Sequence, residues 1–297
     1  MPANSGSTIR FVLFAAAWAT LWSGAFVATK MALDDAGPMT TVAIRTTVAG
    51  ALMVAVTWRA AGGLPKRNLG GIVIVGFLNN AGYLGLIATA LPHLSVGMAA
   101  ILTSTIPIAV LVISSLQGAH LRALQWAGCA IGFVGVTGSA LTRLGSGDTS
   151  VTGIAIGSAA VACLIAGTVL TPRLVPPGNP WMSTGIQSIA GGLPCAAAAL
   201  IWDGIPDLTP RFLLAEAYLI IGASVIGMTL WLMIIREFGP ARAAVAHFLP
   251  PLVSLGLGAL LLDEIPSALA IAMCVPAALG VYLATKAGTV TRPRPPA

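Results

Sequence analysis

Long apolar runs, separated by short breaks that carry Gly, Pro or charge, make up most of the chain. A helix needs about 20 apolar residues to cross the roughly 30 Å hydrocarbon core of a bilayer. Residues 1–9 and 288–297 are polar and are predicted to form short disordered tails. The pattern between them predicts ten transmembrane helices, with approximate limits 11–33, 38–58, 69–91, 94–116, 123–142, 152–174, 180–202, 212–235, 240–262 and 265–285.

The composition supports the same class. Hydrophobic residues make up 57% of the chain and charged residues 8%, whereas a soluble domain carries about 25% charged residues. That is too little charge to cover a water-facing surface, so we predict an all-α integral membrane protein in contact with membrane lipid. The net charge of +6 would suggest nucleic acid in a soluble protein. Here the basic residues separate apolar segments, which membrane topology explains better, and no nucleic-acid partner is predicted.

The second half of the chain repeats the first. The stretch LSVGMAAILTSTIP in the first half corresponds to GPARAAVAHFLPP in the second. Ser95 aligns with Pro240 and Gly135 with Gly280, both at a spacing of 145 residues. A period this long indicates a duplicated domain and not a solenoid.

Five helices per copy is an odd number, so the second copy is expected to insert upside down. The predicted architecture is therefore two inverted five-helix repeats, residues 10–145 and 146–287. Inverted repeats are common in secondary transporters, where the binding site lies near mid-membrane between the halves. Two such halves can rock between states open to opposite sides, which predicts alternating access.

Lys and Arg are distributed unevenly between the two predicted sides. With the N-terminus inside, the outer loops hold only Arg143 and Arg211, and Lys30 and Arg45 lie within or at the ends of helices. The other eleven of the 15 Lys and Arg residues fall on the inner side. This bias predicts a multi-pass protein of the inner (plasma) membrane with both termini in the cytoplasm.

Several motifs in order resemble a known family. They are WSGAFVATK (Trp22–Lys30), AIR (Ala43–Arg45), SxGxAA with TSTxP (95–107), AGTVLTPR (Ala166–Arg173), and GPARA with a later Pro before Asp263 and Glu264. Over about residues 10–285 the chain is similar to the drug/metabolite transporter superfamily, specifically its EamA-like ten-helix members. The resemblance implies export of a small-molecule solute such as an amino acid, metabolite or drug-like compound. One departure is Ala119 after Gly118, where the family usually has Glu.

Several signatures of other functions are missing. The sequence contains no GxxxxGK[ST] loop, no HExxH and no GxSxG, so neither an ATPase nor a zinc or serine hydrolase is signalled. The four cysteines have no metal-ligand spacing. We predict no enzymatic activity, no cofactor and no metal, and either a monomer or a dimer. The alternative is a membrane-embedded enzyme or lipid-handling protein, for which His247 beside Ser254 is the visible candidate pair.

Polar and aromatic residues inside the apolar segments are the candidates for solute binding, because lipid cannot satisfy their hydrogen bonds. Trp18 and Trp22 share one face of the first helix and form either a cavity wall or, alternatively, an interface anchor or core packing. Asn79, Asn80 and Tyr83 cluster in the third helix. They line a cavity or make interhelical hydrogen bonds.

Proline breaks the fourth and ninth helices. Thr103 and Ser104 precede Pro107, which leaves a backbone carbonyl free nearby. This motif is either a solute-facing kink or a structural one whose hydroxyls satisfy the backbone. Pro251 aligns with Pro107 and shares its structural or gating role. Gln187 in the seventh helix is a further binding candidate, with an interhelical hydrogen bond as the alternative.

Four ionisable residues complete the candidates. His247 titrates near neutral pH and suits proton-linked transport, unless it is a neutral, hydrogen-bonded core residue. Glu216 either pairs with Arg211 at the interface or carries a proton. Lys30 is expected to snorkel to the outer interface. Arg45, about seven residues into its helix, either bonds carbonyls or faces the cavity, and both basic residues could serve a structural or gating role.

These candidates make a direct prediction for the third helix. Asn79→Ala or Tyr83→Ala should weaken solute binding without loss of folded protein, as measured by equilibrium binding to the purified variants. Unchanged affinity in both variants would remove the third helix from the site.

Overall fold

The computed structural model describes residues 5–65, 67–94, 96–141, 149–253, 256 and 267–286. Within these ranges the chain consists of helices and connecting loops, without strands. The predicted all-α class is therefore confirmed. The C-terminal tail, Ser254 and the pair Asp263 and Glu264 lie outside the described residues.

Ten helices follow one another in the described ranges. They are α1 (Ser5–Leu33), α2 (Pro38–Ala61), α3 (Leu69–His93), α4 (Val96–Leu116), α5 (Ala123–Leu141), α6 (Val151–Leu174), α7 (Pro180–Trp202), α8 (Pro210–Phe238), α9, which opens with Pro240–Val245 and Ala246–Phe248 and is described to residue 253, and α10 (Ala268–Lys286).

Where they are described, the helix limits agree with the apolar pattern to within a few residues, except at the start of the chain. The predicted end of the ninth helix at residue 262 lies outside the described residues. The helix α1 begins at Ser5, although residues 1–9 were expected to form a disordered tail. That expectation is wrong from Ser5 onwards. The apolar pattern marks where the bilayer core begins, and a helix can continue beyond that point into polar residues.

Among the described residues, seven helices are long and apolar enough to cross a membrane: α1, α2, α3, α5, α6, α7 and α8. The apolar parts of α4 (Ile101–Leu116) and α10 (Ala268–Ala284) are shorter. Large aliphatic side chains such as Leu13, Val56 and Leu200 point outward and are more than half exposed. This exposed apolar surface is expected where lipid surrounds the helices.

Proline and glycine set the ends of several helices. Pro38, Pro180, Pro210 and Pro240 each stand at the start of a helix, where a missing N–H leaves no hydrogen bond unmade. Gly239 adopts φ +81° between α8 and α9, a conformation that side-chain-bearing residues rarely adopt. The chain can therefore turn from α8 directly into α9.

Contacts between the helices are reciprocal between the two halves. The helix α2 packs along α7, and α5 packs along α10. In addition, α3 contacts α6, and α1 contacts α8. The main apolar core draws side chains from α1, α3, α6 and α8, including Trp18, Tyr83, Leu164 and Trp231, whereas α5 and α10 contribute to a second cluster.

The contact between α5 and α10 depends on glycine. A Cβ atom on Gly280 would overlap the backbone of Gly128 and Gly132, and one on Gly135 would overlap the backbone of Ala277. Small residues allow this close approach of two backbones. The Gly128-x-x-x-Gly132 pattern of α5 therefore serves this close packing.

Two helices contain a nine-residue π-helical segment. The first is Phe77–Gly85 in α3, and the second is Leu219–Gly227 in α8. Regular π-helix is rare and is often found at functional sites. Here α3 and α8 occupy the same position in their respective repeats, so both halves deviate from α-helix at the same place.

The glycine contact between α5 and α10 gives a stability prediction. Gly280→Ala should destabilise the protein by about 1–3 kcal/mol, because the added methyl group meets backbone atoms that cannot rotate away. Thermal unfolding in detergent measures this. Gly70→Ala in α3 is the matched control, since no atom lies within 4 Å of its added Cβ. Equal melting temperatures for the two variants would contradict the packing account.

Candidate functional site

Five aromatic rings form a continuous cluster in the centre of the molecule. Trp18 stacks on Trp22 with ring centroids 5.5 Å apart and on Trp231 with centroids 4.9 Å apart. Trp22 in turn stacks on Tyr83 at 6.1 Å. The His247 ring meets the Trp18 and Trp231 rings edge-on, at 5.0 and 4.7 Å. The cluster joins α1, α3, α8 and α9.

A first cavity lies on one side of this cluster. Its walls come from the C-terminal half of α1, the first turns of α2 and the C-terminal half of α3. The side chains that give it chemical character are Trp22, Phe26, Thr29, Arg45 and Tyr83. Trp22 and Tyr83 therefore occupy the cavity-wall position predicted for them. Trp18 does not line this cavity but lies behind Trp22.

Arg45 is the charged residue of the first cavity. It is only 3% exposed, and its Nε donates to the Ser224 hydroxyl in the π-helical segment of α8 at 3.2 Å. Its Nη2 has no hydrogen-bond partner. Of the two alternatives, the structure favours a cavity-facing Arg45 over one that bonds carbonyls. Lys30 is exposed at the end of α1, as expected for a snorkelling side chain.

Glu216 in α8 is a second buried charge. Its side chain is 3% exposed, and neither carboxylate oxygen has a hydrogen-bond partner. It lies within electrostatic range of Arg45 on α2, but no ion pair joins the two side chains. Arg211 instead pairs with Asp34 at 2.7 Å, so the expected Glu216–Arg211 pair is wrong. Asp34, in the loop that follows α1, lies beside Arg211 at the start of α8. Glu216 lies further along α8 and is buried.

A second cavity lies on the other side of the aromatic cluster. It is enclosed by α3, α6, α7 and α8. The polar side chains that line it are Asn79, Asn80, Thr171, Thr184, Gln187 and Ser188, together with Trp231. The predicted asparagines and Gln187 thus meet in one cavity, and Tyr83 faces the other.

Hydrogen bonds distinguish the two asparagines. Asn80 donates through Nδ2 to the backbone carbonyls of Gly76 and Gln187, each at 3.1 Å. Asn79 is 2% exposed, and its Oδ1 has no hydrogen-bond partner. Both asparagines line the second cavity, but Asn80 also ties α3 to α7.

The hydroxyls of α4 bond their own helix. Thr103 donates to the carbonyl of Ala99 at 3.0 Å, and Ser104 donates to that of Ile101 at 2.7 Å. Neither residue lines the two cavities. The hydroxyls before Pro107 therefore satisfy backbone carbonyls of their own helix, which is the structural alternative given for this motif.

His247 lies in a short 3₁₀ turn of α9, Ala246–Phe248. Its Nδ1 is 3.2 Å from the carbonyl oxygen of Ala244. The ring is 5% exposed and packs on two tryptophans. His247 therefore has the geometry of a hydrogen-bonded core histidine, which is the alternative to proton-linked transport that the sequence left open. The partner proposed for a catalytic pair, Ser254, lies outside the described residues. Pro251 is half-buried in α9.

Sequence reasoning missed several residues around the two cavities, among them Trp231 and Ser224. Trp231 lies within an apolar stretch of α8, and nothing in its neighbours distinguishes it from a lipid-facing tryptophan. Ser224 is a small residue among Gly, Ala and Ile, and only its contact with Arg45 gives it significance. The pairing of polar residues across the two halves could have pointed to Gln187 as the counterpart of Arg45.

The comparisons agree with this architecture. The EamA-like transporter family model matches residues 9–141 and again residues 151–286. The uncharacterized inner membrane transporter YedA of Escherichia coli K12 is 29% identical over 252 residues, which cover 80% of this chain and 78% of YedA. The uncharacterized transporter sll0355 of Synechocystis is 26% identical over 268 residues, covering 82% and 80% of the two chains.

A solved crystal structure shares the fold. It superposes with a TM-score of 0.78 at 20% identity, covering 95% of this chain and 97% of the other. The family model covers most of the chain in two matches, and the helices are those of a multi-pass membrane protein. The chain therefore belongs to the EamA-like transporter family, within the drug/metabolite transporters that its motifs resemble.

Proposed function

We propose that the protein is a secondary transporter of small zwitterionic solutes that carry an apolar or aromatic side chain, such as amino acids. The observation that carries the proposal is the first cavity, where a buried guanidinium with an unpaired nitrogen lies beside two aromatic walls. A buried cation without a full set of partners is costly, and a solute carboxylate would supply them.

Glu216 would bind the second charged group of the solute, its ammonium group. The Glu216 carboxylate has no hydrogen-bond partner and lies within electrostatic range of Arg45, although it is outside the lining of the first cavity. It would hold the solute's ammonium group while Arg45 holds the carboxylate. Trp22 and Tyr83 would pack against the side chain of the solute. One guanidinium is too few to bind a phosphate sugar, for which several cations are expected. The proposal assigns no catalytic residue.

We further propose that residues 10–145 and 146–287 are inverted repeats that alternate between two states. Support comes from the reciprocal helix contacts, in which α1–α8 and α3–α6 are counterparts and α2–α7 and α5–α10 each join like helices. The bias of Lys and Arg supports cytoplasmic termini in the inner membrane. Export is the direction that the resemblance implies.

Competition at Glu216 would couple export to protons. The carboxylate can hold either a proton or a solute ammonium, which is the requirement for exchange of one against the other. Glu216 is better placed for this than His247, because its oxygens are unpaired, whereas the His247 ring packs between tryptophans. Proton entry would then drive solute exit.

Counterflow in proteoliposomes tests the proposed function. Vesicles loaded with unlabelled amino acid should accumulate the labelled compound, with saturation, and an imposed pH gradient should accelerate it. A panel of amino acids and cationic aromatic drugs identifies the solute class. Saturable movement of the drugs alone would contradict the zwitterion proposal, and conduction without saturation would indicate a channel.

Arg45→Gln tests the carboxylate contact. Wild-type protein should bind L-phenylalanine more tightly than phenethylamine, which lacks the carboxylate. A charge-assisted hydrogen bond contributes about 1.5–3 kcal/mol, or roughly ten- to hundred-fold in affinity. In the variant the two affinities should converge, as measured by calorimetry. A preference that survives in folded Arg45→Gln would exclude Arg45 from the site.

Glu216→Gln tests proton competition. In wild-type protein, lowering the pH should weaken amino acid binding, because a proton neutralises the carboxylate that holds the ammonium group. The variant should bind weakly and without pH dependence. Glu237→Gln is the control, since Glu237 lies on the same helix but pairs with Arg10 at the surface, at 3.3 Å. An identical pH dependence in all three proteins would contradict this role.

A further inference from the structure

We infer that the second cavity is a separate binding site, and that it takes an uncharged hydrogen-bonding group such as a carboxamide. The inference deepens the proposed function and rests on it, since both cavities are assigned to one carrier. The two sites differ in the chemistry of their walls, so their ligands are distinguishable by experiment.

The walls of the second cavity hold an unusual number of unpaired polar atoms. Each belongs to a side chain that is at least nine-tenths buried, and none has a hydrogen-bond partner. They are Asn79 Oδ1, Asn80 Oδ1, Thr184 Oγ1, Gln187 Nε2, Ser188 Oγ and Trp231 Nε1. Buried polar atoms are nearly always hydrogen-bonded, so we take these unpaired atoms as the partners that a polar group in the cavity would use.

The polar atoms fit a neutral ligand. Trp231 Nε1 and Gln187 Nε2 can only donate, and the Asn79 and Asn80 Oδ1 atoms can only accept. The orientation of the Asn80 amide is fixed, because its Nδ2 already donates to two carbonyls. No charged side chain lines this cavity among the described residues. A carboxamide, which both donates and accepts, matches this set, whereas a carboxylate would lack a countercharge.

The second cavity is also the repeat counterpart of the first. The two π-helical segments begin 142 residues apart, at Phe77 and Leu219. The same spacing relates Arg45 to Gln187 and Val42 to Thr184, one residue of each pair lining each cavity. The duplication thus placed an amide in the second half where the first half has a guanidinium.

Stacked tryptophans separate the two cavities. Trp22 lines the first, Trp231 lines the second, and Trp18 stacks on both. A ligand in one cavity therefore does not contact the polar groups of the other. This separation makes independent binding possible, and a rearrangement of the tryptophans would be needed for a solute to pass between them.

Benzamide and benzoate are isosteric probes for the two sites. We expect wild-type protein to bind both without competition, as measured by calorimetry with one probe present at saturation. Asn79→Leu and Gln187→Leu should each weaken benzamide binding at least ten-fold and leave benzoate unchanged. Arg45→Gln should do the reverse. Retained benzoate binding shows that the Asn79 and Gln187 variants are folded.

The outcomes separate the two proposals. Benzamide binding that is lost in the Asn79 and Gln187 variants supports the second site, even if benzoate proves indifferent to Arg45 and the first site fails. Benzamide that competes with benzoate and depends on Arg45 overturns the second site. So does absence of benzamide binding to folded wild-type protein, which would leave water as the only occupant of the cavity.

Discussion

Lipid offers no hydrogen bonds, and this constraint determines the structure. Backbone groups must be satisfied within each segment, so the described chain is helical throughout. Side chains obey the same constraint where they serve structure, as the hydroxyls of α4 do by bonding their own carbonyls. Some polar atoms remain unpaired, and one group of them lines the second cavity. These are the atoms to which we assign a ligand-binding role.

Packing and binding are assigned to different helices. The helices α5 and α10 meet through glycine with their backbones in contact, which leaves no room for a cavity between them. The helices α3 and α8 instead depart from α-helix over nine residues each and carry the asparagines and the serine that bonds Arg45. Close backbone packing and departure from regular α-helix therefore occur in different helix pairs.

The sequence predicted the helices well because apolar length and proline or glycine breaks are local properties. It also identified Trp22, Asn79, Tyr83 and Gln187 as polar or aromatic residues that lipid would not tolerate. It could not predict that Tyr83 and Asn79, four residues apart, face different cavities, since that depends on the π-helical segment between them. The pairing of Arg211 with Asp34 and not Glu216 depends on how the loops meet, which no single helix encodes.

The central claim is that the first cavity opens alternately to the two sides of the membrane. A cysteine at position 29, introduced as Thr29→Cys in the cavity wall, reports this directly through its rate of labelling by a membrane-impermeant thiol reagent. Labelling is measured from each side, with and without solute and against the wild-type background of native cysteines. The account predicts that solute shifts labelling from one side to the other. Labelling from one side only, unchanged by a solute that binds, would contradict it.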